Sequence, residues 1–208
     1  MERKLRGILL DLDETLYSRE EAFCNWLELE ARSAAASEAL NQERVAALDQ
    51  RGRGDKRELL AYLDSVFNWA QTHEQRLQRF QTGIAAAARL APGVRQSLTR
   101  VAAQYKLGLV SNGTSVTQRA KLQALSLDTL LDPIVISEEV GLRKPDAKIF
   151  ELAMAGWGIA PASVLFVGDD PISDIAGATA AGLRTLQVGH EPGIPSILEL
   201  EKWLQDNA

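Results

Sequence analysis

Apolar residues recur along this chain in two rhythms. Five short runs, at 5–10, 107–110, 134–136, 164–167 and 185–188, are rich in leucine, isoleucine and valine at successive positions. Successive strand side chains point to opposite faces, so such runs predict strands covered on both sides, as in a parallel sheet. Between the later runs lie helical stretches at 94–104, 116–124, 147–155 and 175–181. The alternation predicts an α/β fold: a Rossmann-like parallel sheet core with right-handed crossovers.

The first connection breaks this alternation, because residues 18–89 hold no convincing strand. Ala22, Phe23, Trp26 and Leu27, continuing through 30–34, trace one helical face. Leu59, Leu60, Leu63, Val66, Phe67 and Ala70 trace a cleaner one, and Leu77, Phe80 and Ile84 a third. Each has a single apolar stripe, so the three can close on one another as a small bundle. The expected domains are a core made of 1–17 and 90–208 and a small inserted α-helical unit at 18–89, with hinges near Tyr17 and Ala91-Pro92-Gly93. Trp26 and Trp69 are expected in the core of the insert, and Cys24 on its packed face.

Composition narrows the partners. At 208 residues the chain can bury a sizeable core. Its net charge of −5 argues against nucleic acid and against an anionic membrane as partners, and any phosphate site must be local. One cysteine, Cys24, allows no internal disulfide and fits a reducing compartment, by default the cytoplasm. The apolar run Ile8-Leu9-Leu10 is cut by Asp11, too short for a signal peptide or a membrane span. Nothing in the sequence identifies a protein partner.

The chemistry begins where that run stops, in Asp11-Leu12-Asp13-Glu14-Thr15-Leu16. Open parallel sheets bind ligands at such strand ends. In extended backbone Asp11 and Asp13 project to one side and Leu12 to the other. Two charges about 4 Å apart repel by about 4 kcal/mol at an effective dielectric of about 20, so both carboxylates stay ionised only beside a cation. A hard divalent ion fits, magnesium where phosphate is the substrate. A second acidic group, Gly168-Asp169-Asp170-Pro171-Ile172-Ser173-Asp174, ends another strand. Between the two, Ser111-Asn112-Gly113-Thr114 offers a hydroxyl and amides to an anion. Arg143-Lys144-Pro145-Asp146 offers a point positive charge, with Pro145 suited to the first turn of the next helix.

Taken in order, Asp11 to Leu16, Ser111-Asn112-Gly113, Lys144-Pro145-Asp146 and Gly168-Asp169 to Asp174 resemble the four motifs of the haloacid dehalogenase-like hydrolase superfamily, and they span the whole core. The resemblance implies a phosphatase of small phosphorylated metabolites that carries a helical cap after the first motif. It implies that Asp11 is the nucleophile and that Asp13 is the acid and then the base. Asp11 and Asp169 would hold Mg2+ with the backbone carbonyl of Asp13. Ser111, Lys144 and the Asn112 amide would bind the phosphoryl group, and Asp174 would orient Lys144 or the waters of the metal.

Asp170 and Glu14 depart from the commoner pattern of that family. Asp170 reads either as a group that ligates or orients the metal or as one that faces solvent. In the insert, Arg51, Arg53, Lys56 and Arg57 read either as a solvated turn or as a loop that reads the substrate. Three other functions stay open: a phosphomutase with the same motifs, a haloacid dehalogenase, and a phosphorylatable binding module without catalysis. Asp13 weighs against the second, because the family's dehalogenases lack it, and the helical insert weighs against the third.

Overall fold

A computed structural model of the protein describes residues 4–34 and 40–207. Strand β1 (Gly7–Leu10) is followed by four helices, α1 (Arg19–Ser33), α2 (Gln42–Asp49), α3 (Lys56–Phe67) and α4 (His73–Ala87). The α/β pattern then runs α5 (Val94–Ala102), β2 (Lys106–Ser111), α6 (Ser115–Ala124), β3 (Ile134–Ile136), α7 (Ser137–Val140) and α8 (Ala147–Met154). It closes with β4 (Val164–Gly168), a π-helical turn at Pro171–Ala176, α9 (Gly177–Ala180), β5 (Arg184–Gln187) and α10 (Leu200–Asn207). The chain divides into two compact units, Met1–Ser18 with Arg89–Ala208, and Arg19–Ala88. Part of the 18–89 segment, at 35–39, lies outside the described residues.

All neighbouring strands pair in parallel, in the order β3-β2-β1-β4-β5. The chain builds outward from β1 through β2 to β3, then returns to the other side of β1 for β4 and β5. That reversal puts the topological switch point beside β1, where such sheets hold ligands. Leu10 is in register with Leu109 on one side and Val167 on the other, and the Asp11 amide donates to the Val167 carbonyl at 2.9 Å. The ends of β1, β2 and β4 therefore reach the same edge of the sheet. Strands β1 and β4 are apolar on both faces because both are covered: Ile8, Leu9, Leu10, Leu165, Phe166 and Val167 are all fully buried. On one face Phe150 of α8 meets Phe166 edge to face, with ring centroids 5.0 Å apart. Each such side chain contributes about 1.5–3 kcal/mol when taken out of water.

The inserted unit has its own core of Phe23, Trp26, Leu60, Leu63, Phe67 and Phe80. Trp26 stands perpendicular to Phe80 at 5.3 Å. Trp69 packs at the edge of this core, where its Nε1 donates to Glu30 and Arg79 stacks over its ring. Helix α3 starts on the Asp55 cap and ends at Phe67, because Asn68 turns left-handed and caps it. Ala70, part of the sequence stripe, thus lies beyond the helix.

Four features differ from expectation. Cys24 is exposed: α1 buries Ala22, Phe23, Trp26 and Leu27, and that spacing leaves position 24 on the outer face. Pro145 precedes α8 instead of entering its first turn, since Asp146 caps the helix through the Lys148 amide. Helix α2 left little apolar pattern to read because only Val45 and Asp49 are buried in it. Helix α10, which buries Leu200 and Leu204, was likewise not foreseen.

Candidate active site

Leu12 is fully buried, and the acids on either side of it meet different surroundings. Asp11, 7% exposed, lies 2.6 Å from Lys144 Nζ. The same ammonium stands 2.7 Å from Asp174 Oδ1. Lys144 is held from behind by Asn112: the Asn112 side-chain amide donates to the Lys144 carbonyl and accepts from the Lys144 amide, both at 3.0 Å. Gly168 makes room for Asp174, since a Cβ there would overlap the Asp174 carboxylate. The Asp170 amide donates to Asp174 Oδ2 at 3.1 Å, and Thr15 Oγ1 reaches Asp169 at 3.3 Å.

Asp11, Asp169 and Asp174 each bring a carboxylate oxygen to within 4.8 Å of the others. Burial pushes the Asp11 carboxyl up to about 8; Lys144 opposes that, while Asp174 and Asp13 add to it. Asp169 is raised to about 6, by burial first and then by the charge of Asp174. Burial alone would discharge Lys144, yet Asp11 and Asp174 overcome it and hold the amine above its ordinary range. Asp174 Oδ1 is buried and, among the described residues, accepts no well-formed hydrogen bond despite the nearby ammonium. Three crowded carboxylates with one cation among them suit a hard divalent ion with oxygen ligands.

Asp13 lies outside this group. Its carboxylate receives Lys121 Nζ at 2.7 and 2.9 Å, Gln118 Nε2 at 2.9 Å and the Tyr17 hydroxyl. Burial pushes this carboxyl upward, but Lys121, with hydrogen bonds from Lys121, Tyr17 and Gln118, holds it below the usual carboxylate range. The expectation that the Asp11 and Asp13 side chains share a cation is therefore corrected: Lys121 meets the charge of Asp13.

Ser111, 1% exposed, accepts from Gln118 Nε2 at 2.6 Å. Two amides beyond it are already used, Gly113 by Ser137 Oγ and Ser115 by Glu138, which narrows the anion-binding part of this turn. Asp170 caps the π-helical turn by accepting from the amides of Ile172 and Ser173, a role neither sequence reading gave it. Glu14 has a left-handed backbone, with φ of 60°, and its charge helps to raise Asp169.

In the inserted unit, Asp49 is buried against Arg19 and also receives Lys56 Nζ and the Gly52 amide. Lys56 bonds the carbonyls of Gly52 and Gly54 as well, so it holds the loop together. Arg51, Arg53 and Arg57 are exposed. Sequence reasoning missed Lys121, Gln118 and Tyr17; the available signal was a lysine and a glutamine one turn apart beside Leu122 on a core helix.

Residues 8–188 match the family model for haloacid dehalogenase-like hydrolases. The chain belongs to this family. Among the haloacid dehalogenase-like hydrolases it is similar to the pyrimidine 5'-nucleotidase YjjG of Escherichia coli K12, 42% identical over 95 residues, which cover 45% of this chain and 42% of that one. It also resembles the glyceraldehyde 3-phosphate phosphatase of Methanocaldococcus jannaschii, 27% identical over 195 residues, 88% of this chain and 85% of the relative. Several curated relatives are matched over only about two fifths of their own length. The magnesium-bound crystal structure of the hydrolase YfnB from Bacillus subtilis superposes with a TM-score of 0.77 at 21% identity, covering 98% and 100% of the two chains. At that identity the likeness shows the shared fold. Among the described residues no helix is long and apolar enough to cross a membrane.

Proposed function

We propose that this hydrolase is a magnesium-dependent phosphatase of small phosphorylated metabolites that works through an aspartyl-phosphate on Asp11. The observation that carries the reading is the division of labour between two acids two residues apart. Asp11 sits with Lys144, Asp169 and Asp174, while Asp13 is held separately by Lys121. The phosphatase relatives add weight from outside the structure.

In this reading Asp11 Oδ attacks phosphorus and the bond to the ester oxygen breaks, with Asp13 delivering the proton to the leaving alcohol. Asp13 then takes a proton from water as its oxygen attacks phosphorus, which releases Asp11 and inorganic phosphate. Lys144 and Ser111 receive the phosphoryl oxygens. Asp11, Asp169 and Asp174, with the Asp13 carbonyl, are the groups that would hold magnesium. When bound, the ion supplies positive charge against the phosphoryl oxygens. Held ionised by Lys121, Asp13 is ready for the water step and must gain a proton before the first. The helical insert is, in this reading, the cap that the family resemblance implies, and the enzyme works in the reducing cytoplasm.

The test is release of inorganic phosphate from a panel of metabolite monoesters, with magnesium or with a chelator. Magnesium-dependent release that disappears in Asp11→Asn, with the fold kept, supports the reading. Full activity in Asp11→Asn, or none from any ester in a folded, magnesium-saturated sample, overturns it.

A further inference from the structure

Helix α6 carries two buried polar side chains that make and break no bond in the reaction above, Gln118 at 1% and Lys121 at 4% exposure. They lie one turn apart, the spacing at which helical side chains meet. Burying an ammonium costs several kcal/mol unless it is fully paired. Here Lys121 Nζ reaches both oxygens of Asp13 and, at 2.8 Å, Gln118 Oε1. A lysine only donates and a carboxylate only accepts, so the amide of Gln118 has one possible orientation. Its oxygen faces Lys121 and its nitrogen faces Asp13 and Ser111. Gly113 leaves the space this requires, because a Cβ there would lie 2.9 Å from Gln118 Cγ.

We propose that Lys121 and Gln118 are positioning residues that lock the Asp13 carboxylate in place and tie it to Ser111. This inference rests on the phosphatase reading. A group that transfers protons in both halves of a reaction must be held in a near-attack position, and Lys121, Gln118 and Tyr17 all donate to Asp13. Gln118 also fixes Ser111: its amide occupies a lone pair of the hydroxyl, so the hydroxyl proton is the one given to a phosphoryl oxygen. Acid placement and phosphate contact are thereby built on one helix turn.

The test compares Lys121→Met with wild type on two classes of ester, reading kcat/KM, which reports the steps up to the first irreversible one. An alkyl phosphate needs its leaving oxygen protonated; 4-nitrophenyl phosphate does not. The expected loss is about 10- to 100-fold on the alkyl ester and under about threefold on the aryl ester, less than the roughly 100- to 10,000-fold that acid–base assistance is worth in full, because Asp13 itself remains. A merely structural role lowers both alike. Equal losses on the two classes, or no loss on either, overturn the inference while wild type remains a phosphatase. Should Lys121→Met fail to fold, Gln118→Met keeps the ion pair and is held to the same ester-dependent loss. A wild type that releases phosphate from no ester overturns the phosphatase reading itself, and this role with it.

Discussion

Magnesium affinity should rise steeply with pH between 6 and 8. Metal binding needs ionised carboxylates, and burial keeps protons on two of the three candidate ligands, Asp11 at about 8 and Asp169 at about 6. Each carboxyl that ionises as pH rises tightens the apparent Kd, and both Asp11 and Asp169 are raised into or to the edge of this window. The same protons must leave on binding, fewer of them at pH 8 than at pH 6. Isothermal titration calorimetry with magnesium, in buffers of different ionisation enthalpy, reads both quantities. The sign also extends to stability. The unfolded chain releases the Asp11 proton near 3.8 whereas the folded chain keeps it to about 8, so the metal-free core loses stability as pH rises through that window. An affinity flat to within about threefold from pH 6 to 8, with no proton release, would show that these acids are already ionised without metal and refute the burial argument.

Other expectations test the frame around the site. Gly168→Ala drives a methyl into the Asp174 carboxylate, so urea unfolding should show a loss of about 1–3 kcal/mol together with weaker magnesium binding; an unchanged midpoint and affinity would contradict the packing. Asn112→Ala removes both hydrogen bonds that hold the Lys144 backbone and should cost about 1–3 kcal/mol with a lower kcat. Wild-type stability in that variant would mean that Lys144 is held by other groups. Asp49→Ala strands the buried Arg19 and should cost the inserted unit about 3–5 kcal/mol. Hydrogen exchange should then quicken in α1 and α3 and stay unchanged in the sheet; equal effects in both units would count against their separate cores.

The sequence by itself determined the strands, most of the helices and the acids at the strand ends. Each of the five strands lies within two residues of its apolar run, most plainly β1 and β4, because a strand buried on both faces must be apolar throughout. Asp11 and Asp169 stood out as candidates for a related reason, since acids that abruptly end buried strands have few causes other than a ligand, whereas Asp174, inside the turn after β4, was named only through the family resemblance. Helix α2 was not legible, since a helix with two buried residues hardly differs from a polar loop. Only the tertiary structure decided what each acid faces. The alternation that put Asp11 and Asp13 on one side fixes direction along a strand, but the partner of Asp13 sits 108 positions away on α6. Lys121 gained its meaning when the β1-to-β2 pairing brought that helix to the strand end. Asn112 likewise became a clamp only in the fold, on Lys144 32 positions away. Charge neutralisation acts through space and leaves no periodicity along the chain, which is why Asp13 could be read from the sequence and its counter-charge, Lys121, could not.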